Sequence, residues 1–149
     1  MIRLSTKGRY GTHLMLNLAR HYLEGKEAVI LKDISKEENI SLRYLEQIII
    51  PLRINKLVKS IRGAGGGYTL TKPPSDIKMS EILQVLEGTC CLVDCVEDDT
   101  YCEKIPTCAT HELWKEASYL LKDYFTGMTL QDLVDIHKKK NPPTKSTKK

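Results

Sequence analysis

Five cysteines crowd into one short segment of the chain, and their spacing is the strongest sign of chemistry in the sequence. No cysteine lies outside this segment, whose members are Cys90, Cys91, Cys95, Cys102 and Cys108. From Cys95 the pattern runs Cys-x6-Cys-x5-Cys-x2-His and ends at His111. In a chain whose start has no apolar leader, such bunching favours metal or redox chemistry over a set of structural disulfides.

The gaps between these cysteines bear on what they could bind. Structural zinc sites usually take thiolates from Cys-x2–4-Cys pairs, because a short knuckle aims both sulfur atoms at one ion. The wider gaps here favour a larger object, an iron–sulfur cluster, with His111 replacing one thiolate. Zinc binding and redox-active thiols remain open alternatives. Cys90 and Cys91 are interpreted as bystanders or redox-labile thiols rather than as ligands.

Charge divides the chain into blocks that imply different roles. Residues 1–72 hold 13 Lys/Arg against 6 Asp/Glu, a net charge of +7. Residues 73–137 hold 4 against 13, a net charge of −9, and the tail 138–149 adds six lysines without an acid. The basic block predicts that residues 1–72 face a polyanion.

The same basic block has the element order of a DNA-binding module. Apolar periodicity predicts helices over 6–24 and 32–38, then a third helix that Ser41 caps and that Asn55 ends in the left-handed conformation. Two strands, 57–62 and 68–71, flank a glycine-rich turn and predict a hairpin. The predicted fold is therefore mainly α with a small β-hairpin, a winged helix-turn-helix that binds double-stranded DNA.

Side chains on the exposed face of the third helix have the types that read bases. Arg43 and Gln47 are four residues apart, so they project from one side and suit guanine and adenine edges. The candidates for phosphate contacts or a minor-groove insertion are Arg43, Arg53, Lys56, Lys59 and Arg62. An ordinary helical hairpin with a solvated basic face is the competing interpretation.

The second half predicts a connecting helix, a cysteine-rich loop and a long helix. Ser80 is expected to cap a helix over 81–87, and residues 89–109 show no period and are predicted to be a loop. An amphipathic helix spans 110–126, and Thr129 with Asp132 resembles a capping box that opens a last helix to 137. The predicted units are 1–72, 73–88, 89–110, 110–137 and a disordered basic tail, 138–149.

Several classes of protein are disfavoured by the sequence. Every apolar run is interrupted well short of the ~18 residues that a membrane span needs, which predicts a cytoplasmic protein without a membrane partner. The remaining histidines, His13, His21 and His137, fall on predicted helices. None lies in a pattern typical of a nucleophile with its base, so an enzyme is not expected.

Four motifs, in order along residues 1 to about 137, resemble IscR-like bacterial repressors, a winged-helix family that also includes NsrR- and CymR-type members. The motifs are RLSTKGRY at 3–10, SLRYLEQ at 41–47, RGAGGGY at 62–68 and CATHELW at 108–114. The resemblance implies a homodimer on a pseudo-palindromic operator, in which the long helix crosses its partner. It further implies a 2Fe-2S cluster whose occupancy controls repression of cluster-assembly genes, held by Cys95, Cys102, Cys108 and His111.

The resemblance also completes the predicted DNA-binding set, since Glu46 and Arg62 match positions that face DNA in the family. Some relatives sense nitric oxide through a four-iron cluster and recruit a carboxylate from the first helix. Arg9 stands at the matching position here, and with His111 present this favours the two-iron form. The predicted DNA-binding residues are Ser41, Arg43, Tyr44, Glu46, Gln47, Arg53, Lys56, Lys59, Arg62 and Gly65.

Overall fold

A computed structural model describes residues 2–144, which are mostly helical with one two-stranded antiparallel hairpin. This confirms the predicted fold class. Short 3-10 turns lie at Pro74–Asp76 and Ile105–Thr107. The elements, in chain order, are α1 Thr6–Leu23, α2 Leu31–Glu38, α3 Leu42–Ile54, β1 Val58–Ile61, β2 Gly67–Leu70, α4 Met79–Glu87, α5 Asp94–Glu97, α6 Ala109–Thr126 and α7 Leu130–Lys140.

The turn between α2 and α3 is set by two polar residues. Asn39 ends α2 with φ of 53°, the left-handed conformation that asparagine adopts more readily than most residues. The Ser41 hydroxyl accepts a hydrogen bond from the Tyr44 backbone N–H at 3.2 Å, which confirms the predicted cap. Leu45, Ile48, Ile49 and Leu52 then bury one face of α3 in the core, which also includes Leu14 and Leu18 of α1.

The end of α3 differs from the prediction by one residue. Asn55 has φ of −84°, whereas Lys56 takes the left-handed conformation with φ of 59°. The reason lies in the bonds that Asn55 makes to the carbonyl of Pro51, from its backbone N–H at 3.0 Å and its side-chain amide at 2.8 Å. These bonds hold Asn55 near the helical conformation, so the chain reverses at the next residue.

The hairpin forms a wing that is fastened to the linker between α1 and α2. β1 pairs with β2 from Val58↔Leu70 to Ile61↔Gly67. Val29 adds a bridge to Tyr68, with backbone hydrogen bonds of 2.9 and 2.8 Å in the two directions. Gly67 has φ of 145°, and a Cβ there would overlap the Val29 carbonyl. Glycine at this position therefore allows the wing backbone to lie close to the backbone of Val29.

The acidic half corrects two sequence-based boundaries. α4 begins at Met79, because the Glu81 carboxylate accepts the Lys78 backbone N–H at 2.7 Å and starts the helix before Ser80. Residues 89–109 are not wholly irregular, since they contain α5 and a 3-10 turn. Both are single turns closed by local backbone hydrogen bonds, too short to leave a period in the sequence.

The last helix starts as predicted and ends later. Thr129 and Asp132 form a capping box, with the Thr129 N–H donating to the Asp132 carboxylate at 2.8 Å and the Asp132 N–H donating to the Thr129 hydroxyl at 3.1 Å. α7 runs to Lys140, so the expected disorder is wrong for residues 138–140. Three lysines in the last turn are favourable there, because they face the negative end of the helix dipole. Residues 145–149 of the predicted tail lie outside the described residues.

Two glycines on α1 create a notch into which the end of α4 packs. A Cβ on Gly11 would overlap the Leu86 side chain, and a Cβ on Gly8 would overlap the Glu87 carboxylate. That carboxylate accepts hydrogen bonds from the Ser5 backbone N–H, at 3.1 Å, and from the Ser5 hydroxyl. The cysteine-bearing segment therefore leaves α4 directly after a joint with the first helix of the DNA-binding half.

Candidate nucleic-acid interface and cysteine site

The exposed face of α3 carries the residues that the sequence singled out for reading bases. Arg43, Glu46 and Gln47 are exposed, while the opposite face packs into the core. Ile50 lies one turn further along and remains 47% exposed. α3 thus presents a polar surface with one aliphatic residue, as a helix that enters a DNA groove requires.

Two residues of the predicted set have structural duties of their own. Ser41 uses its hydroxyl as the cap of α3. Tyr44 is half-buried, and its ring lies edge-on to Tyr10 of α1 with centroids 5.7 Å apart and planes at 82°. Arg9 places its guanidinium 4.8 Å from the centroid of the Tyr10 ring. Tyr44 therefore helps to hold α3 against α1, a long-range contact that no local pattern predicts.

Five basic residues form an exposed surface along α3 and the wing: Arg43, Arg53, Lys56, Lys59 and Arg62. Within residues 2–144 none of these side chains makes an ion pair, in contrast to Arg20, Lys26 and Lys72, each of which has a glutamate within 4.0 Å. Gly65 lies exposed at the tip of the wing with φ of 76°. Free positive charge on a surface next to an exposed helix suits binding to phosphates.

Two of the four predicted cluster ligands lie together. The Sγ of Cys95, on α5, lies 3.3 Å from Nδ1 of His111. His111 is in the first turn of α6 and only 4% exposed, so its ring is held by the surrounding protein. A buried imidazole beside a thiol is a suitable pair of neighbouring donors for one metal centre.

The other two predicted ligands are not brought to this pair. Cys102 is exposed in the loop between α5 and the second 3-10 turn, and Cys108 precedes α6 with its Sγ 3.2 Å from the Thr110 hydroxyl. Among residues 2–144, no three His, Cys, Asp or Glu side chains converge as a metal-binding group. The structure therefore supports the donor pair and leaves the four-ligand set a prediction.

Cys108 occupies the N-cap position of α6, which favours its charged form. The Thr110 hydroxyl and then the backbone N–H of His111 hold the pKa of the Cys108 thiol below its ordinary range. Thiolates, not thiols, bind metals and act as nucleophiles. Three thiolates and one imidazole are a donor set that fits an iron–sulfur cluster and also fits zinc.

Ser118 fastens the cysteine-bearing segment to α6. Its hydroxyl accepts the Leu92 backbone N–H at 3.0 Å and donates to the Trp114 carbonyl at 2.7 Å. Ser118 and His111 are the only buried residues of α6. Sequence analysis missed this role, although a serine on the inward face of an amphipathic helix is a signal that could have been followed.

The outward face of α6 is apolar and uncovered in the described chain. Leu113, Leu120 and Tyr124 are 56%, 65% and 64% exposed. They recur at intervals of seven and four residues, so they share one face of the helix. An apolar stripe of this length on a long helix is typical of a protein interface.

Comparison with known proteins decides the family. A model of the Rrf2 family, described as an iron-dependent transcriptional regulator, matches residues 4–136. The chain belongs to the Rrf2 family. The HTH-type transcriptional regulator CymR of Bacillus subtilis is 42% identical over 132 residues, which cover 89% of each chain. The regulator IscR of Pectobacterium atrosepticum is 39% identical over 134 residues, which cover 90% of this chain and 80% of the relative.

Solved structures agree with this assignment. The structure of T. potens IscR superimposes with a TM-score of 0.78 and 34% identity, covering 94% of this chain and 91% of that one. CymR of B. subtilis, described as the global cysteine regulator, gives a TM-score of 0.76 and covers 91% of this chain and 98% of its own. These relatives are transcriptional regulators rather than enzymes. This Rrf2 chain is therefore a DNA-binding transcriptional regulator.

The resemblance to IscR-like repressors is confirmed at the level of family and fold. CymR is as similar in sequence as IscR, so the comparisons leave the ligand of the cysteines undecided. In the part of the chain that the structure describes, no helix is both long and apolar enough to cross a membrane.

Proposed function

We propose that this Rrf2-family regulator senses iron–sulfur cluster status and represses cluster-assembly genes. The cofactor is a 2Fe-2S cluster held by Cys95, Cys102, Cys108 and His111. The observation that carries the proposal is the 3.3 Å approach of Cys95 to the buried His111. The thiol comes from α5 and the imidazole from the first turn of α6, 16 residues further along the chain.

The protein contributes a rigid side and an adaptable side to this site. His111 and Cys108 are fixed at the start of α6, whereas Cys102 lies on an exposed loop that can close toward them. No residue from 87 to 110 is buried, although the structure describes them all. A bound cluster would supply metal–ligand bonds between these elements, in addition to the hydrogen bond that joins Leu92 to Ser118.

The joint between α4 and α1 offers a route from this segment to DNA. Gly88 follows Glu87, whose carboxylate binds Ser5 at the start of α1. α1 in turn shares the hydrophobic core with α3. Ordering of residues 89–110 would bias the position of α4 and, through Glu87, the position of the helix that reads bases.

DNA binding by this arrangement requires a second copy of the chain. Winged-helix regulators dock one recognition helix per half-site, and two half-sites lie about one DNA turn apart. α3 would lie in the major groove with Arg43, Glu46 and Gln47 at base edges, and the wing would meet the backbone through Arg62 and Gly65. Leu113, Leu120 and Tyr124 of α6 supply the apolar surface on which a second copy packs, giving a homodimer on a pseudo-palindromic operator.

The test is purification without oxygen, followed by visible absorption and by iron and sulfide analysis. Two irons and two sulfides per chain, lost in Cys102→Ala and kept in Cys91→Ala, are the expected result. Four irons per chain would point instead to a nitric-oxide-sensing regulator. A colourless, iron-free protein after reconstitution would contradict the cluster, and zinc analysis would then separate a zinc site from free thiols.

A thiol-based regulator is the second candidate, and two observations favour it. A structure of Staphylococcus aureus CymR in an oxidized form is 37% identical to this chain, and among residues 2–144 Cys102 and Cys108 do not join Cys95 and His111 in one metal-binding group. In that case DNA affinity would follow thiol oxidation in protein without iron. Titration of operator binding with peroxide and with dithiothreitol, in the cluster-free protein, measures this directly.

A further inference from the structure

Cys90 and Cys91 lie in a cleft of their own. The cleft has a volume of about 360 Å³ and is walled by α4, α5 and α6. Both cysteines line it as free, half-buried thiols, and Tyr119 and Lys122 of α6 line it with them. Neither thiol belongs to the predicted cluster ligands, so the cleft needs an explanation of its own.

We propose that Cys90 and Cys91 form a second ligand site, which binds trivalent arsenic as arsenous acid or as a monosubstituted arsenical. The proposal rests on two adjacent cysteines that line one cleft with room for a small ligand. It does not depend on the cluster.

Adjacent cysteines persist as a dithiol better than separated ones do. Neighbouring Cα atoms lie about 3.8 Å apart across a trans peptide, whereas disulfides usually join Cα atoms about 4.4–6.8 Å apart. Closing a disulfide between Cys90 and Cys91 would therefore strain the backbone. The pair remains available for a ligand that bonds to both sulfur atoms.

The adjacency of the two thiols favours arsenic over copper(I). Trivalent arsenic is pyramidal and holds its ligands at near right angles, which suits two sulfur atoms carried by neighbouring residues. A copper(I) ion with two thiolates prefers ligands on opposite sides, which adjacent residues cannot supply. The charged residues that line the cleft are Lys122, Glu81 and Glu97, so the thiols, rather than the charge of the cleft, determine the choice of ligand.

The protonation state of Cys90 points in the same direction. Burial, and then the neighbouring Cys91, raise the pKa of the Cys90 thiol, so it stays protonated near neutral pH. Arsenous acid is uncharged and reacts with thiols by condensation. Two As–S bonds form and two As–O bonds break, each thiol proton leaves with one hydroxyl as water, and no electrons are transferred.

Phenylarsine oxide, which in water carries two hydroxyl groups on arsenic, is the probe for this site. The full chain with Cys95→Ser, Cys102→Ser and Cys108→Ser keeps only the Cys90–Cys91 pair and is expected to bind one equivalent. Adding Cys91→Ser should weaken binding on the order of a hundredfold, because the second thiol no longer binds intramolecularly. Intact-mass and peptide-mapping spectra locate the adduct, and circular dichroism checks that each variant is folded.

Two results would overturn the proposal. One is failure of the folded triple variant to take up the arsenical, and the other is unchanged affinity after Cys91→Ser. The cluster is tested separately, since the Cys90→Ser/Cys91→Ser double variant is expected to keep the iron and sulfide of the parent while losing the adduct at residues 90 and 91. Loss of iron in that variant would show that the pair serves the cluster instead.

Discussion

The predicted DNA-binding half, residues 1–72, and the cysteine-bearing segment, residues 87–110, are built in opposite ways. In the first, α3 is fixed by residues with almost no exposure, among them Leu45 and Leu52 at 0% and Ile48 at 1%. In the second, residues 87–110 include no buried residue. The first half is held by a packed core, whereas the second is held by a few contacts to α6, such as the hydrogen bond from the Leu92 N–H to Ser118. The proposed sensing role needs such a difference, because segments that respond to ligands are drawn from the less stable parts of a protein.

Truncation of one leucine in each region measures this difference most directly. Leu45→Ala removes a fully buried side chain and is expected to lower the free energy of unfolding by about 2–5 kcal/mol. Leu92→Ala, in the cysteine-bearing segment, should lower it by less than about 1 kcal/mol, because Leu92 is only half-buried. Urea unfolding of the cluster-free protein provides both values. Equal losses would mean that the segment is packed as firmly as the DNA-binding half.

The α6 surface should show the next largest effect. Leu120→Glu places a charge in the middle of the proposed dimer interface and is expected to weaken association by roughly 2 kcal/mol or more. Ile136→Glu on α7 makes the same chemical change at a residue that is also exposed, at 43%, and serves as the control. Sedimentation equilibrium reports the dissociation constants. A dimer that tolerates Leu120→Glu would place the interface elsewhere.

The sequence predicted the packed half well because its signals are local. Ser41 and Asn39 have side chains whose capping and left-handed preferences act within one turn, and the α3 stripe follows from periodicity. Asn55 shows the limit of this logic. Two hydrogen bonds to the Pro51 carbonyl hold Asn55 near the helical conformation in spite of its left-handed preference. A conformational propensity assigned residue by residue does not include such bonds.

The cysteine-bearing segment was harder to predict because its contacts are long-range. The approach of Cys95 to His111 was expected from the ligand pattern, but the Ser118 bond to Leu92 and the Glu87 bond to Ser5 join residues 26 and 82 positions apart. α5 is a single turn without a buried face, so no period marked it. Cys102 and Cys108 remain predicted ligands, because the local sequence does not determine where an exposed loop places its side chains.

Base-reading and phosphate-binding residues should separate in their response to salt. Arg43→Ala is expected to cost about 1–3 kcal/mol on the operator and to relax the preference at one base pair. Lys59→Ala should weaken binding to all sequences alike and reduce the slope of log affinity against log salt by about 1. Fluorescence anisotropy at several salt concentrations, on operator and scrambled DNA, distinguishes them. An equal loss of affinity for operator and scrambled DNA in Arg43→Ala would mean that Arg43 contacts phosphate and does not read a base.

The Glu87 joint predicts a smaller, conditional effect. Glu87→Gln keeps the size of the side chain but weakens the bonds to Ser5 at the start of α1, at a cost of about 1 kcal/mol. The change should also narrow the difference in operator affinity between cluster-loaded and cluster-free protein. Glu97→Gln on α5, whose carboxylate accepts a hydrogen bond from the Thr89 hydroxyl, is the matched control. Coupling that survives Glu87→Gln unchanged would exclude this route to α1.

The smallest effect is expected at Glu37, whose contacts lie between α1 and α2 in the packed half. Burial raises the pKa of Glu37, but hydrogen bonds from Asn17 and His21 and the nearby positive charges outweigh it, so the pKa lies below its ordinary value of 4.5. The Asn17 amide donates at 2.7 Å and is fully buried, which fixes the carboxylate in place. A carboxylate with a lowered pKa stabilises the folded state above pH 4.5, and this stabilisation is lost as the pH falls through the lowered value.

Glu37→Gln should therefore reduce the free energy of unfolding at pH 7 by less than about 1 kcal/mol, since the side chain is 40% exposed and solvent screens its charge. The difference in free energy of unfolding between Glu37→Gln and the parent protein should disappear as the pH falls below 4.5. Glu27 is exposed and makes no ion pair within residues 2–144, so Glu27→Gln serves as the matched control. Urea unfolding between pH 3 and 7 measures all three proteins. A difference that persists at pH 3 would mean that Glu37 acts through packing, and the contact between α1 and α2 would then be insensitive to acid.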